Sequence, residues 1–116
     1  MIDWTRVLAL HDEVGAAEFQ PLIELFLDEM EGAMMTAGAA DPQQLEQRLH
    51  FLKGCAWNLG LRAFGAQCEL WESLVIRGGA DQFDMDQLMT GYSASKQILM
   101  RDMARLLGGG GESHVA

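Results

Sequence analysis

Apolar residues recur every three or four positions along most of the chain, and no stretch alternates with the period of two that marks a strand. Phe19, Leu22, Ile23, Phe26, Met30, Met34 and Ala37 make one such stripe. They predict a helix over 17–37, with Pro21 in its first turn, where a missing N–H is tolerated. Ahead of it, Asp3 can cap a short helix carrying Trp4, Val7, Leu8 and Leu10, which Gly15 ends. Asp41-Pro42-Gln43-Gln44 is a helix start: Asp41 as N-cap, Pro42 as first helical residue, Gln44 as capping-box partner. That helix should run to Gly60. A third long helix begins at Leu61, with Leu61, Phe64, Cys68, Trp71 and Val75 inward, and stops at Gly78-Gly79. A second capping box is expected at Asp84 and Gln87, opening a fourth long helix with Leu88, Tyr92, Leu99, Met103 and Leu106 inward.

Long amphipathic helices with short links imply an all-α fold, an antiparallel up-down-up-down four-helix bundle with a short extra N-terminal helix. The bundle is expected to occupy 1–107, with 108–116 a flexible, Gly-rich tail. Apolar runs are short, since Glu24 separates Leu22-Ile23 from Leu25-Phe26-Leu27, and no membrane span is expected. Met1-Ile2-Asp3-Trp4 lacks the basic and apolar regions of a signal peptide, so a cytoplasmic location is the expectation. A net charge of −9 argues against nucleic acid, which needs a basic surface. Cys55 and Cys68 are too far apart in sequence for a close metal-binding pair and are expected as buried thiols. A monomer is expected, because the pattern leaves no face obviously apolar, and the methionines are taken as core filler.

The helix after Asp41 holds the candidate chemistry. Successive residues turn by about 100°, so Leu45, Leu49, Leu52, Ala56 and Leu59 share one inward stripe. His50 then lies roughly 140°, and Gly54 roughly 180°, from the centre of that stripe. Lys53 is three residues from His50 and so its neighbour on the helix surface. A helix-interior glycine costs about 1 kcal/mol relative to alanine, and an outward one relieves no core crowding. It does remove bulk beside the histidine, where a second protein could approach. A neutral imidazole offers a nucleophilic lone pair, and an adjacent ammonium can offset phosphoryl charge. Together these residues suit phosphoryl exchange between proteins.

The segment His50-Phe51-Leu52-Lys53-Gly54-Cys55-Ala56-Trp57-Asn58-Leu59-Gly60 closely resembles the His-x-Leu-Lys-Gly-(small)-(small)-x-x-Leu-Gly motif of histidine-containing phosphotransfer (HPt) domains. Cys55 stands where a serine is common, a small-for-small change. The following 61–74 stretch is similar to the family's next helix. The resemblance implies phosphorylation of His50 on Nε2, with Lys53 and Glu72 supporting the histidine or its phosphate. It implies docking through Gln47, Gly54, Trp57 and Asn58 onto receiver domains of response regulators or hybrid sensor kinases. It implies no cofactor on this chain, with Mg²⁺ held by the receiver.

Isolated from its motif, an exposed histidine is an ordinary solvated side chain, as is an exposed lysine. His11 and His114 have no comparable context and are taken as incidental. Trp57 either pads a partner interface or is covered by the N-terminal helix. Gly108–Gly111 is no phosphate loop, since no Gly-Lys-Ser/Thr follows, so the chain is expected to carry phosphate without phosphorylating itself from ATP. An alternative is a module that binds receivers and sequesters them without taking phosphate. A bundle enzyme with a carboxylate-bridged metal pair needs inward Glu-x-x-His motifs, and residue 47 is glutamine.

Overall fold

The computed structural model describes residues 2–38 and 40–107. They form α1 (Trp4–Val14), α2 (Ala16–Ala37), α3 (Pro42–Leu59), α4 (Arg62–Ile76) and α5 (Met85–Leu107), with a 3₁₀ turn at Ala80–Gln82 before α5. Extended pairing among the described residues is limited to an isolated bridge between Ile2 and Leu61. The expected tail 108–116 and the side chain of Leu106 lie outside the described residues.

The start of α3 follows from its sequence. Asp41 accepts the Gln44 N–H at 2.8 Å while the Gln44 side chain accepts the Asp41 N–H at 3.3 Å, a complete capping box. Its end is set by Gly60, at φ +80°. There a Cβ would stand 2.7 Å from the Asp3 carbonyl oxygen, because the Ile2–Asp3 segment crosses at that point and Asp3 donates its N–H to the Gly60 carbonyl at 2.7 Å. At Asp84 only half of the expected box forms. Its carboxylate accepts the N–H groups of Asp86 and Gln87, while the carbonyl of Gln87 accepts from the Gln67 amide of α4.

The core is the set of stripes read from the sequence, with local differences. Ile23, Met30 and Met34 of α2 meet Leu49, Leu52 and Leu59 of α3, Phe64 and Cys68 of α4, and Leu88 and Leu99 of α5, all essentially fully buried. Leu27 joins them, whereas Leu22, Phe26 and Trp71 are only partly buried. Leu8 faces solvent, and Leu61 precedes α4 as its N-cap residue, buried and bridged to Ile2. Full burial of one such side chain stabilises by about 1.5–3 kcal/mol. The buried stripe of α3 therefore outweighs the cost of Gly54 several times over. Both cysteines are free and buried, and burial pushes the Cys68 thiol up to about 12. His11 packs edge-on against Phe19, with ring centroids 5.0 Å apart, so it helps join α1 to α2.

Two expectations fail at the surface. Leu25, Met35, Phe51, Leu70 and Met89 are all exposed, so apolar faces remain and the stated ground for a monomer does not hold. Met35 and Met89, moreover, are not core filler. The period of a helix fixes its inward stripe, but how much of each flank is covered depends on how closely its neighbours approach.

Candidate functional site

His50 emerges from α3 on its α4 side, with 70% of its side chain exposed. Its Nδ1 lies 2.9 Å from Oε2 of Glu72 on α4. The other carboxylate oxygen, Oε1, receives Lys53 Nζ at 2.8 Å. One carboxylate thus bridges two residues a turn apart on the facing helix. The register follows from the opposite directions of α3 and α4: His50 meets Glu72, and two turns on Trp57 meets Gly65.

Glu72 is a buried charged residue, 8% exposed. Burial alone pushes its carboxyl up, but the hydrogen bonds from Lys53 and His50 outweigh that and hold it below the ordinary value of 4.5. In return, the hydrogen bond to Glu72 raises the Lys53 ammonium above its ordinary range, so it stays charged. Because an ionised carboxylate only accepts hydrogen bonds, it selects the tautomer with the proton on Nδ1. The lone pair is then left on Nε2, the nitrogen that has no partner among the described residues.

Lys53 lies one turn from His50, as its spacing requires, with a partner that the spacing did not predict. Its ammonium is engaged by Glu72 rather than free beside the imidazole, so it reaches the histidine through the carboxylate. The signal for Glu72 was faint in the sequence, since a glutamate on the flank of a helix is usually solvated. Only the α3–α4 register brings it under His50.

Gly54 lies on the surface next to His50, and a Cβ built there meets nothing within 4 Å. Gln47 and Asn58 are exposed on the same helix. Trp57 is 41% exposed. Its indole rests on Gly65 of α4, where a Cβ would approach the ring to 3.1 Å. α1 reaches α3 elsewhere, through Arg6 Nε donating to the Asn58 carbonyl at 2.9 Å. Residue patterning missed two features: Gly65 as the seat of Trp57, and an apolar groove of about 230 Å³ along the α2–α3 flank, lined by Leu22, Leu25, Phe26 and Phe51. Single exposed apolar residues carry no signal in a sequence until a groove joins them.

Among the described residues, no three His, Cys, Asp or Glu side chains gather into a group that could hold a metal ion. No helix among them is long and apolar enough to cross a membrane.

Fold and site together define an all-helical module that displays one oriented imidazole to solvent. The chain belongs to the Hpt-domain family: the family model described as Hpt domain matches residues 17–107, from the first turn of α2 to the end of α5. The family serves histidine phosphotransfer in two-component phosphorelays, where its members interact with receiver domains and kinases. No curated protein and no solved structure matched the chain.

Proposed function

We propose that His50 carries the phosphoryl group of a phosphorelay, taking it on Nε2 from a receiver aspartyl phosphate and returning it to another receiver aspartate. The observation that supports this most directly is the 2.9 Å contact between Nδ1 and Glu72 on a ring that is otherwise exposed. The Nε2 lone pair attacks phosphorus, the N–P bond forms, and the P–O bond to the aspartate breaks, leaving a carboxylate on the receiver. The imidazole then carries positive charge, with its proton still on Nδ1. Glu72 faces that charge and stabilises it, while Lys53 keeps the carboxylate ionised. In this reading the Mg²⁺ that offsets phosphoryl charge belongs to the receiver. Gln47, Gly54, Trp57 and Asn58 form the docking face around His50, extended by the Leu25–Phe51 groove. The reading includes an up-down-up-down course for α2 to α5, supported by opposed contact pairs between α3 and α4 and between α2 and α5, where Glu31 meets Tyr92 and Gly38 meets Met85.

The test is incubation of the chain with a radiolabelled phosphorylated receiver. Carriage predicts acid-labile, base-stable label on this chain, mapped to His50. A stable complex without label would select the sequestering alternative.

Lys53→Ala should slow receiver-to-His50 transfer about tenfold, the scale of one charge-assisted contact, without abolishing it. Single-turnover quench flow reads the rate, and an unchanged value would reduce Lys53 to a surface charge.

Glu72 makes a pH prediction. Its folded-state carboxyl is depressed, so its contribution to stability is complete above the unfolded value and is lost as pH falls through the folded one. The parent should therefore lose more stability than Glu72→Gln between about pH 5 and pH 3. Urea midpoints across that range check this, and parallel curves for the two proteins would contradict it.

A further inference from the structure

The seam between α2 and α5 is open. The two helices make little backbone contact, and between them lies a groove of about 490 Å³. That volume falls in the range of binding sites rather than packing defects. Its apolar wall is made of Met34, Met35, Met85 and Met89. Met35 is 84% and Met89 41% exposed, so these side chains are presented to solvent. Methionine is unbranched and polarisable, and adapts its shape to varied apolar partners. The site lies on the α2–α5 side of the bundle, whereas His50 belongs to the α3–α4 side, so the groove plays no part in the phosphoryl chemistry described above.

The polar end of the groove offers its ligand one unoccupied acceptor. Glu31 receives both Tyr92 Oη at 2.6 Å and Lys96 Nζ at 2.7 Å on the same oxygen, Oε2. Its other oxygen, Oε1, accepts no hydrogen bond among the described residues. Lys96 and Tyr92 hold the Glu31 carboxyl below its ordinary range. Burial raises the Tyr92 hydroxyl, and Glu31 and Asp28 add to that effect. The lining itself balances one carboxylate, Glu31, against one ammonium, Lys96, so the preference for a cation comes from the open Oε1 of Glu31 within a chain of net charge −9.

The dimensions suit a helix. Along α2 the lining runs from Glu31 to Gly38 and along α5 from Met85 to Lys96, or about 10 and 16 Å at 1.5 Å per residue. That is two to three turns of a third helix lying in the seam, with large apolar residues among the methionines and a cation on Glu31 Oε1. We propose that the α2–α5 groove docks a basic amphipathic helix of a partner protein, on a face separate from the phosphotransfer site.

Methyl NMR of the full chain labelled at its methionine methyls tests this, with a synthetic Leu/Lys amphipathic helix as probe and a Leu/Glu peptide of the same apolar pattern as control. The Leu/Lys peptide should shift the methyls of Met34, Met35, Met85 and Met89 and leave Met100 and Met103 in place. Glu31→Gln should weaken it about threefold to fivefold, the range of a partly exposed ion pair. Met35→Gln combined with Met89→Gln should weaken it about tenfold. Both positions are exposed, so the fold tolerates the change, and phosphate uptake at His50 should keep the parent rate. The proposal is overturned by shifts confined to other methyls, by equal binding of the Leu/Glu peptide, or by no shift at saturating peptide. Concentration-dependent shifts of the same methyls without peptide would overturn it too, by assigning the groove to a second copy of the chain.

Discussion

His50→Gln should abolish phosphate uptake while leaving the helical bundle standing. The side chain is 70% exposed and makes a single hydrogen bond, to Glu72, so replacing it opens no cavity. Glutamine can donate to the same carboxylate, and even a complete loss of that bond would cost about 1 kcal/mol, or roughly 4 °C in Tm for a domain of this size. Glu72 is not orphaned by the change, because Lys53 Nζ remains on Oε1 at 2.8 Å. An amide has no basic lone pair, so nothing at position 50 can attack phosphorus. Circular dichroism melting checks the first half of the expectation, and transfer from a phosphorylated receiver checks the second. Acid-labile, base-stable phosphate on the Gln variant would remove His50 from the role assigned to it.

The parts of the fold that depend on local chemistry were legible in the sequence. The Asp41-Pro42-x-Gln44 start of α3 needs only neighbouring residues, and both of its hydrogen bonds form. The α3 stripe from Leu45 to Leu59 is fixed by helical period, and each of its members is buried. Features that depend on two helices meeting were not legible. At the Asp84–Gln87 start only the Asp84 half of the box forms, and the bond from Gln67 of α4 to the Gln87 backbone carbonyl has no signal in the local sequence. Leu25 and Phe51 come together only once α2 lies beside α3. The site divides along the same line. His50, Lys53 and Gly54 share one helix surface, so spacing groups them. Glu72 and the Trp57–Gly65 contact come from interhelical register, which no periodicity encodes. The partner of Lys53 has the same origin: its neighbour at three residues' spacing is His50, but its bonded partner is Glu72.

Gly54 separates folding from partner approach more sharply than any other position. A Cβ placed there meets no atom within 4 Å, so Gly54→Ala should keep or raise thermal stability, by up to about 1 kcal/mol from helix propensity. Gly54→Gln should also fold, since its side chain enters water. Transfer should respond in the opposite direction. A receiver aspartate must bring phosphorus to within roughly 3–3.5 Å of Nε2 before reaction, and a displacement of about 1 Å at that stage can cost about a hundredfold in rate. Position 54 is one turn from His50 on the exposed face, where atoms added to the helix surface hold an incoming protein away. Gly54→Gln should therefore lose transfer from a receiver by about a hundredfold, with Gly54→Ala intermediate. A small phospho-donor such as phosphoramidate needs no wide approach, so phosphorylation from it should fall far less in both variants. The contrast between the two donors carries the test, because general damage to His50 or to its bond with Glu72 would slow both alike. Parent-rate exchange with a receiver by Gly54→Gln would show that no close approach occurs over this turn. The glycine would then be left with its cost to the helix and no compensating role.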